Sequence, residues 1–228
     1  MRTTWRVELP QIVLIVAMFA AAAVMWPGAP ERIPMHWDFS GQIDRYGGKF
    51  EGLLGIPLLA MGIYLLMRYL PNLDPGRANY ARFGGVYATI RIALLVLMAA
   101  IQGVVLFSVL RRPVDMSMFM PLLVGALFVL MGGLMGKIRP NWFVGVRTPW
   151  TLTSKVAWVR THRLGGWLFV AQGLHFILSG LMGFPAFHFV IIGSMIAVVV
   201  VLFAYSYFVW RADPEKESPA GTQPADDE

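Results

Sequence analysis

The 228-residue chain is 57% hydrophobic and 14% charged, carries 19 Lys+Arg against 13 Asp+Glu for a formal charge of +6, and has no cysteine. A soluble domain carries about 25% charged residues, so this composition excludes a water-facing globule. The lack of cysteine excludes disulfides, thiolate metal sites and cysteine nucleophiles.

A helix that crosses a hydrocarbon layer of about 30 Å needs roughly 20 mostly apolar residues. Six stretches qualify, near residues 9–26, 53–70, 86–110, 118–137, 164–182 and 186–210. The predicted fold class is therefore all-α, a polytopic transmembrane helical bundle of about six spans. Arg2 and Arg6 precede small residues at 20–23 as in a signal peptide, but the apolar run exceeds the usual h-region and Pro27, Pro30 and Pro34 crowd the cleavage position. The first span is expected to remain.

Lysine and arginine counts set the orientation. With the N-terminus inside, inner loops and termini hold 13 basic residues and outer loops 5, with Arg91 left in the third span. Both termini are expected to be cytoplasmic. The basic residues flank apolar runs, so the lipid bilayer with its anionic headgroups is the expected partner and nucleic acid is not. The organisation reads as a front half (1–70) with two spans and an outer loop, a back half (71–210) with four spans and an inner loop, and a disordered cytoplasmic tail (211–228), acidic and without aromatics. Trp26, Trp37, Trp142, Trp150, Trp158 and Trp210 fall near the predicted interfaces, and 183–185 is a tight connection between the last two spans.

Two loops are denser in functional groups than a connector needs. In the outer loop His36 and Asp38 are two apart, which in an extended segment places them on one side. Turn signals at Ser40-Gly41 and Gly47-Gly48 can return Asp44 toward them. An imidazole with two carboxylates can hold a divalent cation or grip a cationic peptide. Alternatively the acids cap local amides while Trp37 and Tyr46 anchor the loop. In the inner loop Gly145 permits a sharp turn beside Arg147. Pro149 ends any helix before it, and Ser154 can cap a short interfacial helix toward Arg163. On that helix Trp158 and His162 share a face. Arg147 suits a phosphate or carboxylate, or simply meets lipid phosphates.

Within the spans, Arg91 lies near the cytoplasmic edge and is expected to snorkel. Gln102 is expected to bond another helix, and His175 to pack. Gly132 and Gly136 make a small-xxx-small pair for close helix approach. No acidic residue is expected deep in a span, which argues against an ordinary ion-coupled carrier. Walker, G-x-S-x-G and H-E-x-x-H motifs are missing, so no catalytic residue and no cofactor are expected.

Together the two loops resemble those of the SdpI family of bacterial membrane proteins. The outer loop is similar to a P-x-H-[WF]-[DN]-x-x-G-x-x-D-x-[WY] pattern at Pro34, His36, Trp37, Asp38, Gly41, Asp44 and Tyr46. The inner loop is similar to N-x-x-x-G-[IV]-R-T followed by W-x-x-x-H, at Asn141, Gly145, Val146, Arg147, Thr148, Trp158 and His162. The resemblance implies a multi-pass protein of the bacterial cytoplasmic (inner) membrane, of the immunity and signalling type and not an enzyme. It implies two partners, an extracellular toxic peptide at the outer loop and a cytoplasmic regulator at the inner loop. Two other readings are a transporter or lipid-handling protein with a path between spans three and five at Arg91 and His175, and a membrane enzyme with a metal at His36, Asp38 and Asp44.

Overall fold

Lipid offers a backbone amide no partner, so each apolar run pairs its own amides by coiling. In a computed structural model that describes residues 4–38, 40–112, 114–183 and 187–216, the helices are α1 (Trp5–Met25), α2 (Lys49–Leu73), α3 (Tyr80–Val109), α4 (Met116–Met135), α5 (Pro149–Thr153), α6 (Lys155–Met182) and α7 (Phe187–Arg211). All but the five-residue α5 are long and apolar enough to cross a bilayer, six in all. The expected polytopic helical bundle is the observed fold. To it the 26–48 connection adds an antiparallel hairpin, β1 (Ile33–Trp37) and β2 (Ile43–Gly47), with Ile33 opposite Gly47 and Trp37 opposite Ile43.

The largest boundary difference lies at α6. Ser154 Oγ accepts the Ala157 amide at 2.9 Å, but the helix it caps is the fifth span itself and not a short interfacial piece. The first two turns of α6 point Trp158 and His162 inward, so polar side chains there mark a packed interior rather than a boundary. No helix runs into Pro149, and Pro149 itself starts one. It follows the N-cap Thr148, whose side chain accepts from Thr151 N, and it occupies the first helical position, where its missing N–H costs nothing. At the far end Gly183 (φ +64°) closes α6 in the left-handed region; residues 184 and 185 of the expected tight connection lie outside the described residues.

Helices α1, α2 and α3 pack on one another, and α6 packs on both α4 and α7, while α3 and α4 touch only sparingly. In lipid no hydrophobic drive pulls helices together, so close backbone approach supplies the cohesion. The α4–α6 pair shows this best. A Cβ on Gly132 would stand 2.6 Å from Gly166 O, and one on Gly173 2.6 Å from Gly125 O. The seam therefore repeats every seven residues along two antiparallel helices. Of the expected Gly132/Gly136 pair only Gly132 is in it; Gly136 ends α4 with nothing within 4 Å of its Cβ position.

The α1–α3 group has polar cross-links instead. Gln102 donates to Met18 O at 2.9 Å, the expected bond to another helix. After α7 the chain does not leave the bundle at once. Asp213 is buried and accepts the Ser154 hydroxyl, which ties the start of the segment read as a tail to the cap of α6. Residues 217–228 lie outside the described residues.

Candidate functional site

The hairpin and the 139–148 loop lie at opposite ends of the bundle, since the three spans α2, α3 and α4 separate them.

At the hairpin end His36 Nδ1 donates to Asp44 Oδ1 at 2.6 Å, and both side chains are exposed. Asp38 does not join them. Its Oδ1 accepts from Ser40 N (2.8 Å), Ser40 Oγ (2.7 Å) and Gln42 N (2.9 Å), a side-chain turn that Gly41 completes at φ +81°. The expected trio thus divides into a pair and a turn-holder, because the local amides reach Asp38 first. Among the described residues no three His, Asp or Glu side chains group as metal ligands. Trp37 packs down onto the Ala22–Leu53–Val105 core, and Tyr46 lies 5.3 Å beneath the Arg32 guanidinium.

The hairpin tip rests on the start of α4: a Cβ on Gly41 would stand 3.2 Å from Ser117 N. There Asp115 caps the helix, accepting from Ser117 Oγ (2.6 Å) and Ser117 N (3.0 Å). The Ser40 hydroxyl, then the Gln42 amide, hold the Asp38 carboxyl below its ordinary 3.8, and the Ser117 hydroxyl does the same for Asp115. A depressed carboxyl stabilises fully above its unfolded value and loses that contribution as pH falls through the folded one. Protection of the Ser40 and Gln42 amides, corrected for intrinsic exchange, is therefore expected to be flat from pH 7 to 5 and to fall below pH 3.8.

Under the hairpin is a cavity of about 320 Å³. Met35, His36, Trp37 and Asp38 roof it, and apolar side chains of α3, α4, α6 and α7 wall it, among them Ile101, Met120, Val124, Phe176 and Ile192.

At the opposite end the inner-loop residues build a clasp. Asn141 is buried; its amide donates to Arg139 O and Val144 O, and its carbonyl accepts from Phe143 N and Val144 N. Trp158 stacks on His162 with centroids 4.1 Å apart and donates to Ile138 O at 3.0 Å. It is a core residue and not an interfacial anchor. His162 Nδ1 faces Trp158 O at 2.8 Å, so it carries the proton, while Nε2 accepts from Val146 N at 3.1 Å. Gly145 sits at φ +113°, and a Cβ there would strike His162 Nε2. Thr148 Oγ1 bonds Ser206 Oγ of α7 at 3.0 Å. Arg147 stays exposed and donates to Trp142 O, beside the exposed Trp142 and Phe143 rings. The Asn141, Thr148, Trp158 and His162 side chains are thus spent on holding the loop, Gly145 and Val146 contribute backbone, and the Arg147 side chain faces outward. Gly145→Ala is expected to free the loop, seen as faster proteolysis between Asn141 and Pro149 with the spans intact.

Two groups carried no sequence signal of their own. Asp74, after α2, is buried; it accepts from Gly76 N (2.6 Å), Tyr80 Oη (2.9 Å) and Trp142 N (3.1 Å). It fastens the α2–α3 connection to the clasp, helped by Asn79 Nδ2 donating to Pro140 O at 2.8 Å. Glu8 in the first turn of α1 is the second. Its carboxylate accepts from Arg91 Nη1 (2.8 Å) and Nη2 (3.0 Å) and from Tyr64 Oη (2.6 Å), with Arg68 Nη1 at 3.1 Å. Arg91 therefore does not snorkel. It is 2% exposed and Glu8 6%, because a forked carboxylate partner inside the bundle replaces the interfacial water that snorkelling would seek. The acid lies in the first turn of its span, not deep within it.

Comparison with known proteins places these two ends. Residues 13–61, which hold the hairpin, match a domain of unknown function (DUF1648). Residues 137–206, which hold the clasp, match the SdpI/YfhL protein family. The whole chain is similar to the immunity protein SdpI of Bacillus subtilis (strain 168), 24% identical over 207 residues that cover 86% of this chain and 93% of the relative. This is an SdpI-like membrane protein. No solved structure matches it, so the hairpin, the clasp and the Glu8–Arg91 pair of this SdpI-like chain are described from its own geometry.

Proposed function

We propose that this SdpI-like chain is a non-enzymatic protein of the bacterial cytoplasmic membrane that protects against a membrane-active peptide and passes the encounter to a cytoplasmic partner. One observation carries the reading: the match to a relative named an immunity protein extends over 93% of that relative's length, so likeness is not confined to one shared module. The hairpin would meet the peptide, and Arg147 with the exposed Trp142 and Phe143 would meet the partner. Relay between them requires that the ligand favour one arrangement of the helices over another. A path between spans three and five has less support, since Arg91 is held by Glu8 and α6 packs on α4, α5 and α7 rather than on α3.

Expression in a sensitive bacterium followed by challenge with a panel of membrane-active peptides tests the function. Survival against at least one peptide is expected; unchanged killing by all of them refutes it. Orientation is tested separately. The chain has no cysteine, so His36→Cys and Arg147→Cys can be labelled singly in whole cells, and only the first is expected to react with an impermeant reagent.

A further inference from the structure

The cavity under the hairpin has a shape and a rim that select a ligand. It is about 320 Å³ in volume, at the small end of the roughly 300–1,000 Å³ usual for ligand pockets. That admits one or two large side chains, not a whole peptide. Its walls are apolar and come from four different helices, Ile101 of α3, Val124 of α4, Phe176 of α6 and Ile192 of α7, so they lie across the sparse junction between α3 and the helices that follow it.

The mouth is acidic. Asp38 lines the cavity, and the three donors named above all engage its Oδ1, which leaves the second oxygen outside that turn. Asp115 stands next to the lining residues Met116 and Ser117, where the hairpin tip meets α4. Arg45 pairs with Glu51 at 2.7 Å and Lys49 with Glu31 at 3.0 Å. Arg111 and Arg112 border the adjoining depression, with Tyr46, Gln42 and the shared Trp37. Positive charge from the first turn of α4 falls on its own cap, Asp115.

We propose that this cavity receives the apolar anchor side chain of a cationic amphipathic peptide, whose neighbouring ammonium or guanidinium group meets Asp38 and Asp115 at the rim. The inference rests on the immunity reading and gives its ligand a place and a chemistry. An anionic lipid headgroup would be repelled from the same rim. A ligand seated there touches both halves of the bundle, which is what a differential effect on their arrangement needs.

The test uses the full chain in nanodiscs of zwitterionic phosphatidylcholine. The probe is a fluorescent synthetic peptide of Lys, Leu and a single Trp, and its control carries Glu in place of every Lys; binding to empty discs is subtracted. The Lys peptide is expected to bind about tenfold more tightly than the Glu peptide, and Asp38→Asn, which keeps the turn but not the charge, to remove most of that preference. Val124→Trp and Ile192→Trp, on different helices, fill the cavity and are expected to weaken the Lys peptide at least about tenfold. Thermal unfolding shows which of the two retains the fold, and Ile192, 45% exposed, is the milder change.

Equal affinity for the two peptides, or unaltered affinity in a folded, cavity-filled variant, overturns the proposal. So does retention of a brominated lipid tail by the wild-type chain, but not by the filled variant, when Lys-peptide affinity is the same in both. Failure here is separable from failure of the immunity reading. A chain that protects cells while its filled variant still binds the probe keeps the function and loses this site; a chain that binds the probe as expected but never protects does the reverse.

Discussion

Glu8→Leu is expected to destabilise the α1–α3 group by about 3–5 kcal/mol, the usual loss when one member of a buried ion pair is removed. The change leaves Arg91, 2% exposed, and the Arg68 guanidinium without the carboxylate they share. Arg91 is already short of partners, since its Nε has no hydrogen bond among the described residues. The converse change, Arg91→Leu, should cost clearly less, because Glu8 keeps Arg68 and the Tyr64 hydroxyl. The double variant Glu8→Leu/Arg91→Leu should recover part of the loss of the first, as apolar replacements of buried pairs often do. Chemical unfolding of the four proteins in mild detergent measures all three expectations as a double-mutant cycle. Equal losses for the two single variants would show that Arg68 and Tyr64 do not share the load.

The second large effect belongs to the α4–α6 seam. In Gly173→Val the new Cβ stands 2.6 Å from Gly125 O and 2.7 Å from Val129 N. Both are helix backbone and neither can rotate away, so the helices must part along their length. Overpacking costs roughly 1–3 kcal/mol where side chains can adjust, and here the obstacle is main chain, so the loss should lie at or beyond the top of that range. Gly136→Ala is the control. Its Cβ meets nothing within 4 Å, its backbone is already right-handed helical, and alanine restricts the unfolded chain, so it should be neutral or stabilise by up to about 1 kcal/mol. Unfolding temperature in detergent and the yield of folded protein separate the two. Similar losses at both positions would mean that helix propensity rather than the seam sets the outcome.

The spans were legible because hydropathy acts over twenty residues and needs no partner. What escaped was contact at long range. Glu8 falls one residue before the apolar run that begins at Leu9, so it reads as a flank until α1 is seen to start at Trp5. Its partner Arg91 is 83 residues away, and alone it looks like any arginine near an interface. Asp74 is hidden in the same way, a lone acid in a basic connection whose donors include Trp142, 68 residues on. The glycine seam was read at a spacing of four within one helix, whereas two antiparallel helices meet every seven. At the candidate site the motif residues stand out in the sequence, but their jobs are not separable by type. Asp38 and Asp44 look alike in sequence, and only the hairpin register gives one to a turn and the other to His36. Asn141, Thr148 and His162 turn out to be mortar for the loop, which leaves Arg147 as the residue with a free outward face.

The thin contact between α3 and α4 has a thermodynamic consequence. Their shared groove is lined by residues such as Ile92, Val96, Leu123 and Leu127, and acyl chains solvate those surfaces about as well as the opposing helix does. Oil-like cohesion along that groove therefore contributes little to keeping the two groups of helices side by side. The stronger fastenings sit at the extremities: at one, the buried cluster of Tyr80, Phe83, Tyr87, Ile138 and Trp158 with Asp74 on Trp142, and at the other, the hairpin tip against Ser117. The mutual pose of the two groups is thus set at the ends of the bundle more than along its lipid-filled middle.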